Sequence, residues 1–162
     1  MVLAKIQEIR SEVLESIEGL SDSQLNETPP NGGWTIAQVL LHLEQIELSL
    51  LKLAQKGMED SQGEAKLRDL SVVTDRSKRS QSPFEPSSER MPREELISRL
   101  EASREKVSLF LDGADPVDLE GKSAKNPVFG KLSVKQTIEF IGAHESRHIS
   151  QIEEIKSKLV HA

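Results

Sequence analysis

Cysteine is absent from the 162 residues. No disulfide framework, thiolate nucleophile or sulfur metal ligand can therefore come from this chain, and any metal it binds must be held by nitrogen and oxygen. Positive charge is also in short supply. The 27 acidic against 21 basic residues leave a net charge of −6, which opposes the non-specific phosphate attraction that nucleic-acid binders rely on. DNA and RNA are not expected partners. There is no run of about 20 apolar residues to span a bilayer, and Met1-Val2-Leu3-Ala4-Lys5 leads into an amphipathic pattern instead of a signal segment. The expected location is cytoplasmic, with no membrane partner. Period-two alternation with β-branched enrichment is missing too, so no sheet is expected. What is present, 162 residues at 36% hydrophobic, suffices for one domain with its own core over residues 1–162.

Helical periodicity runs through most of that length. Leu3, Ile6, Val13, Ile17 and Leu20 recur near steps of 3.6, with Ile9 and Leu14 widening the stripe, so the first twenty residues read as an amphipathic helix ended by Gly19 and Ser21-Asp22. Pro29-Pro30-Asn31-Gly32-Gly33 is a dense turn signal. Directly after it, Thr35 with Gln38 makes a capping box and Trp34 can staple onto Val39. This second helix buries Ile36, Val39, Leu43, Ile46, Leu50 and Leu53 and reaches about Gly57. Residues 57–91 are polar, with weak apolar clusters at Leu67, Leu70 and Val72-Val73, and read as a long crossover. Pro92 with Glu94-Glu95 opens a third helix that runs to Gly113. Another irregular connection covers residues 115–130, after which Ser133 and Gln136 repeat the capping-box logic for a fourth helix ending near Val160. Four helices with one long crossover define the expected fold class: all-α, a four-helix bundle whose second and third helices run parallel.

The fourth helix carries His144-Glu145-Ser146-Arg147-His148. Histidines four residues apart lie roughly 40° apart around a helix, so both imidazoles can reach one ion. The bare pattern is the HExxH of zinc metalloproteases, in which the glutamate acts on water at the metal. The extended protease form is lacking, because Ile149-Ser150-Gln151-Ile152-Glu153-Glu154 follows where Gly and His would be needed. A third ligand must come from upstream, and His42, at the edge of the second helix's stripe, is the candidate. His161, beside the C-terminal Ala162, reads as a frayed terminal residue. Glu145 projects near the middle of an apolar face, where an unpaired carboxylate is expensive to bury. It is either a general base or a residue at a bundle mouth reaching water or Arg147. Gln151 lies on the histidine side, positioned to support a ligand or to contact substrate.

The stretch from Pro30 to Leu43 with its Gly33-Trp34 turn and His42-Leu43, joined with His144-Glu145-Ser146-Arg147-His148-Ile149-Ser150-Gln151, resembles the DinB/YfiT-like superfamily, which is unrelated to the DNA polymerase sharing the DinB name. The resemblance covers the chain in order. It implies an up-down-down-up bundle and one divalent metal, often nickel or zinc, on three histidines that match His42, His144 and His148. Characterised members of that superfamily include S-transferases using bacillithiol, mycothiol or glutathione, and many others carry only the description metal-dependent hydrolase. Arg147 stands where many relatives have another histidine. Homodimers are common in the family, while composition leaves the oligomeric state open.

Three functions follow as expectations. The favoured one is a small-thiol S-transferase acting on a small-molecule substrate, with the thiol as cosubstrate at the open metal positions. The second is a metal-dependent hydrolase with Glu145 as base. A non-catalytic, stress-related bundle that keeps its histidines for stability is the third.

Overall fold

The amphipathic repeat beginning at Leu3 forms α1 (Val2–Ser16) in the computed structural model, which describes residues 1–74 and 85–159. His161 and the expected helix end at Val160 lie outside those residues, as does the middle of the crossover. Gly19 turns the chain with a φ of 80°. Ser21-Asp22, expected only to stop the first helix, also start a second short one, α2 (Asp22–Leu25), through a reciprocal Ser21–Gln24 capping box. Stop and start signals draw on the same short polar residues, so the sequence alone does not separate them.

Thr35 opens α3 (Ile36–Glu59): its hydroxyl accepts from Gln38 N at 3.1 Å and Gln38 Oε1 accepts from Thr35 N at 3.0 Å. The crossover that follows contains a 3₁₀ turn at Leu70–Thr74. Then α4 (Arg93–Asp112) begins after Pro92, with Glu94 and Glu95 in its first turn, and stops at Gly113. The connection expected to be irregular holds two ordered pieces. One is α5 (Pro116–Gly121), capped by Asp115. The other is an antiparallel hairpin of β1 (Ser123–Asn126) and β2 (Gly130–Ser133), in which Ser123 pairs with Ser133. The expectation of no sheet is thus corrected by one small hairpin. Its strands are four residues each and carry no alternating pattern, so turn chemistry makes it: Asn126 Oδ1 accepts from the amides of Val128 and Phe129, and Gly130 adopts a φ of 76°.

From β2 the chain passes directly into α6 (Val134–Lys158). Ser133 caps it by accepting from Gln136 N at 3.1 Å, but the reciprocal half of the expected box is absent. The Gln136 amide instead clasps Arg68 of the crossover, accepting from its N at 2.9 Å and donating to its O at 2.8 Å. Arg147 Nη1 ties the same segment to α6 through Val73 O at 3.2 Å.

Cross-helix contacts define the directions. Arg99 reaches Glu44 while Ser103 and Arg104 reach Glu47, so α3 and α4 are parallel. Arg104 bonds Ile6 O and Arg93 bonds Ile17 O, so α1 and α4 are antiparallel. His42 meets His144 and Gly57 meets Val134, so α3 and α6 are antiparallel. With Gly142 against Ile6 and Ile9, and Arg10 against Glu145, α1 and α6 are parallel. The topology is up-down-down-up, as expected. Two glycines permit the close packing of α6: a Cβ on Gly142 would lie 2.8 Å from Ile9 Cδ1, and one on Gly57 would lie 2.9 Å from Val134 Cγ2. Among the described residues no helix is long and apolar enough to cross a membrane.

The core divides into two apolar clusters. Val13, Ile17, Val39, Leu43, Leu96, Leu100 and Ile152 belong to one, and Ile6, Leu50, Ala54, Val107, Ile138 and Ile141 to the other. On every long helix a charged residue falls between them: Arg10, Glu47, Arg104 and Glu145, each at most 7% exposed. Arg10 Nη2 donates to Glu145 Oε2 at 2.6 Å and to Glu47 Oε1 at 2.9 Å, and Arg104 Nη2 donates to Glu145 Oε2 at 2.7 Å. Ser103 Oγ and Arg104 Nε donate to Glu47. Burial opposes the charge on Arg10, but the carboxylates of Glu145 and then Glu47 outweigh it and raise its pKa above the ordinary value. Two guanidinium groups thus balance two carboxylates across the middle of the bundle. Removing one partner of a buried pair typically costs about 3–5 kcal/mol, because the remaining charge stays buried. Arg10→Met should lower the unfolding free energy by about that amount in urea titrations. A loss below about 1 kcal/mol, the scale of an exposed pair, would show that the layer is not a structural linchpin.

Candidate metal centre

The capping box at Thr35 fixes where α3 begins and so puts His42 two turns into it. The Ser133 cap likewise fixes α6, which presents His144 and His148 one turn apart. Antiparallel packing of the two helices brings the three rings together. His42 Nε2 lies 3.0 Å from His144 Nε2, and His148 Nε2 lies 3.1 Å from the same atom. The ring centroids are 4.4–4.8 Å apart. Each ring offers a nitrogen within 4.8 Å of the other two, which could hold one metal ion.

Burial pushes the His42 pKa down to about 4. His144 is held well below the usual histidine range, by burial first and then by His148, His42 and Arg147. Both are therefore neutral at pH 7, with lone pairs available. His148 Nδ1 is 2.6 Å from Gln151 Oε1; a carbonyl oxygen accepts, so Nδ1 carries the proton, and in the neutral ring Nε2 then presents its lone pair. The structure thus places Gln151 against His148, as a support for that ring.

The nitrogens suit a cation better than they suit each other. His144 Nε2 faces two imidazole nitrogens, and a single proton on it can be aimed at only one of them. With the His148 lone pair also facing inward, one of the two contacts stays unfavourable unless a positive ion sits among the three. Metal–nitrogen bonds of about 2.0–2.1 Å set ligand nitrogens roughly 2.9 Å apart at right angles and about 3.4 Å apart in a tetrahedron. The spacings of 3.0 and 3.1 Å fall within that span. Neutral imidazoles suit zinc, nickel, copper or iron, so the donor set fits a divalent transition ion without selecting one.

Trp34 closes one side, its ring centroid 5.1 Å from that of His42 and its Nε1 donating to Glu85 Oε1 at 2.9 Å. Beside it lies a depression of about 160 Å³ lined by Pro29, Gly33, Trp34, Gln151, Glu154 and Lys158. Trp34 and Gln151 belong both to this wall and to the surroundings of the histidines.

Glu145 stands elsewhere. Read as a general base or as a residue reaching water or Arg147, it is instead 1% exposed, and its Oε2 accepts three hydrogen bonds, two from Arg10 and one from Arg104. Its other oxygen is buried with no partner among the described residues. On a helix, consecutive residues are about 100° apart, so Glu145 points toward α1 and α4 while His144 points toward α3. The structure therefore places Glu145 in the charged layer of the core and away from the histidine cluster, with Oε2 held by guanidinium groups. Arg10, Glu47, Ser103 and Arg104 were not singled out in the sequence. A signal was there, because each charge replaces an apolar residue in its helix's buried stripe, Arg10 between Ile6 and Val13 and Arg104 between Leu100 and Val107.

Fold and site together define an up-down-down-up four-helix bundle with a three-histidine cluster between its second and fourth long helices. The family model of the DinB superfamily matches residues 5–152, and the chain belongs to that superfamily. It is 34% identical over 158 residues to "Uncharacterized protein YuaE" of Bacillus subtilis (strain 168), covering 96% of this chain and 97% of that protein. It is 29% identical over 85 residues, 52% of this chain and 48% of the other, to a "Putative metal-dependent hydrolase" of Geobacillus thermodenitrificans (strain NG80-2). Among solved structures it is similar to YfiT from Bacillus subtilis, described as a probable metal-dependent hydrolase with an unusual four-helix bundle topology. The TM-score is 0.63 at 18% identity, with 96% of this chain and 84% of that chain covered.

A pH dependence follows from His42. Its folded pKa of about 4 lies below the ordinary 6.5, so between those values the unfolded chain binds a proton that the folded chain does not. Stability of the metal-free protein should fall as pH is lowered from about 6.5 to 4. In chemical denaturation across that range, His42→Asn should flatten part of the slope; an identical slope would mean that His42 is not the group responsible.

Proposed function

We propose that this chain is a divalent-metal enzyme, with zinc or nickel held by His42, His144 and His148, that transfers the sulfur of a small thiol to an electrophilic small molecule in the cytoplasm. The observation that carries the reading is the pairing of three convergent imidazoles with a neighbouring glutamate whose Oε2 is engaged by Arg10 and Arg104. A divalent ion bound there supplies Lewis acidity, lowering the pKa of a thiol or water beside it. As neutral ligands the three histidines would contribute no sulfur and no charge, so that an ion held there would keep its positive charge. Gln151 holds the proton on His148 Nδ1 and so keeps the Nε2 lone pair inward. Trp34 supplies an apolar wall beside His42 and lines the neighbouring depression.

The proton balance favours the thiol. A free thiol ionises near pH 8.5 and water near 15.7, so the thiol needs far less help to lose its proton. Glu145 points toward Arg10 and Arg104 and away from the histidines, and a nucleophile that sheds its proton to solvent suits this site better than one that needs a base. Sulfur then forms a bond to the electrophilic carbon with its own electron pair, the bond from that carbon to the leaving group breaks, and the leaving group departs with the electrons of the broken bond. The second reading, hydrolysis, is supported by the descriptions of the Geobacillus relative and of YfiT as metal-dependent hydrolases.

The test incubates zinc- or nickel-loaded protein with bacillithiol, mycothiol, glutathione or coenzyme A and monochlorobimane, and in parallel with activated esters and amides. Metal-dependent conjugation with at least one thiol, lost by 100-fold or more in His144→Ala, is the expected outcome. Metal-dependent hydrolysis with no conjugation would replace the transferase by the hydrolase. Silence in both assays at full metal occupancy would favour a non-catalytic bundle.

A further inference from the structure

The pattern His-x-x-Gln occurs twice among the residues around the cluster, as His42-Leu43-Glu44-Gln45 on α3 and His148-Ile149-Ser150-Gln151 on α6. On α6 the pair is closed, with His148 Nδ1 2.6 Å from Gln151 Oε1. On α3 the corresponding atoms, His42 Nδ1 and Gln45 Oε1, are both buried, and neither has a hydrogen-bond partner among the described residues. Buried polar atoms without partners are rare, because desolvation is then uncompensated. These two are a potential donor and an acceptor three residues apart on α3: such residues share a helix face, and long side chains lean toward the helix N-terminus, the direction that would bring the amide of residue i+3 back over residue i.

We propose that Gln45 is a positioning residue for His42, its Oε1 accepting the Nδ1 proton when the ring's Nε2 binds a cation. This rests on the three-histidine metal reading. His42 Nε2 already faces the cluster, 3.0 Å from His144 Nε2. Use of that lone pair puts the ring's one proton on Nδ1, where burial leaves it in need of an acceptor. A carbonyl oxygen there fixes the tautomer, stops the ring from rotating and makes Nε2 a better donor to metal. The α3 ligand and the His148 ligand are then supported in the same way, each by the glutamine one turn further along its own helix.

The test compares Gln45→Met, which keeps the length of the side chain but removes the acceptor, with Gln45→Glu, which retains an oxygen in the same place. Zinc affinity is measured by chelator competition, and the His42 Nδ1 proton is followed by NMR in zinc-loaded protein. Gln45→Met should weaken zinc binding about 10- to 100-fold and move the His42 proton upfield, while Gln45→Glu should restore both. The thermal midpoint of the metal-free protein should be alike in all three, separating positioning from packing. An affinity for Gln45→Met within twofold of the parent, or equal losses in both variants, would overturn the assignment of Gln45 while leaving the metal site intact. Failure of the parent protein to bind zinc or nickel would remove the three-histidine reading and the role of Gln45 with it.

Discussion

Two guanidinium groups and two carboxylates, one from each long helix, meet in the buried middle of this bundle. Apolar clusters alone would let the helices slide or rotate by a turn at small cost, since one aliphatic layer resembles the next. The charged layer does not permit that. Moving α6 by one turn would strand Glu145 among leucines and leave Arg10 and Arg104 short of a counter-ion, which is among the costliest errors a core can contain. Register is therefore set where the charges are. The histidines inherit it, because His144 precedes Glu145 on α6 and His42 lies five residues before Glu47 on α3. Fixing the two glutamates opposite the same pair of arginines fixes the two helices that supply the imidazoles.

That division of labour explains an otherwise odd combination in the HExxH stretch. The histidines face one neighbour and the glutamate faces two others, so residues adjacent in sequence serve separate purposes, one at the candidate metal site and one in the core. In a protease of the same local pattern the glutamate shares the site with its histidines. Here helix rotation and the arginines of α1 and α4 pull it away. The local motif reports ligand spacing faithfully, but the role of the residue between depends on what the neighbouring helices present.

Much was legible from the residues alone. Turn chemistry before Trp34, capping at Thr35 and Ser133, and apolar stripes of helical period located the four long helices to within a few residues, and the polar crossover gave their directions. The convergence of His42 with His144 and His148 followed from helix spacing and the family resemblance. Three features were not legible, for identifiable reasons. The short α2 and the hairpin before α6 rest on turn hydrogen bonds and leave no periodic trace. The Gln136 side chain could serve its own cap or the crossover, and only the fold shows that Arg68 claims it. Glu145 looked like an exception on its face because its partners lie on helices 41 or more residues away in sequence. Reading all four stripes together, with a charge at the same level of each and the signs in balance, would have revealed the layer.

The central claim is that three imidazoles from α3 and α6 hold one divalent ion. X-ray absorption at the metal edge, on untagged protein loaded with one equivalent of zinc or nickel, tests it most directly. The expected spectrum shows three imidazole nitrogens at about 2.0–2.1 Å with the outer-ring scattering of histidine, and His148→Ala reduces that count to two. A spectrum fitted by a single imidazole or by oxygen donors alone, or one unchanged in His148→Ala, would contradict the site.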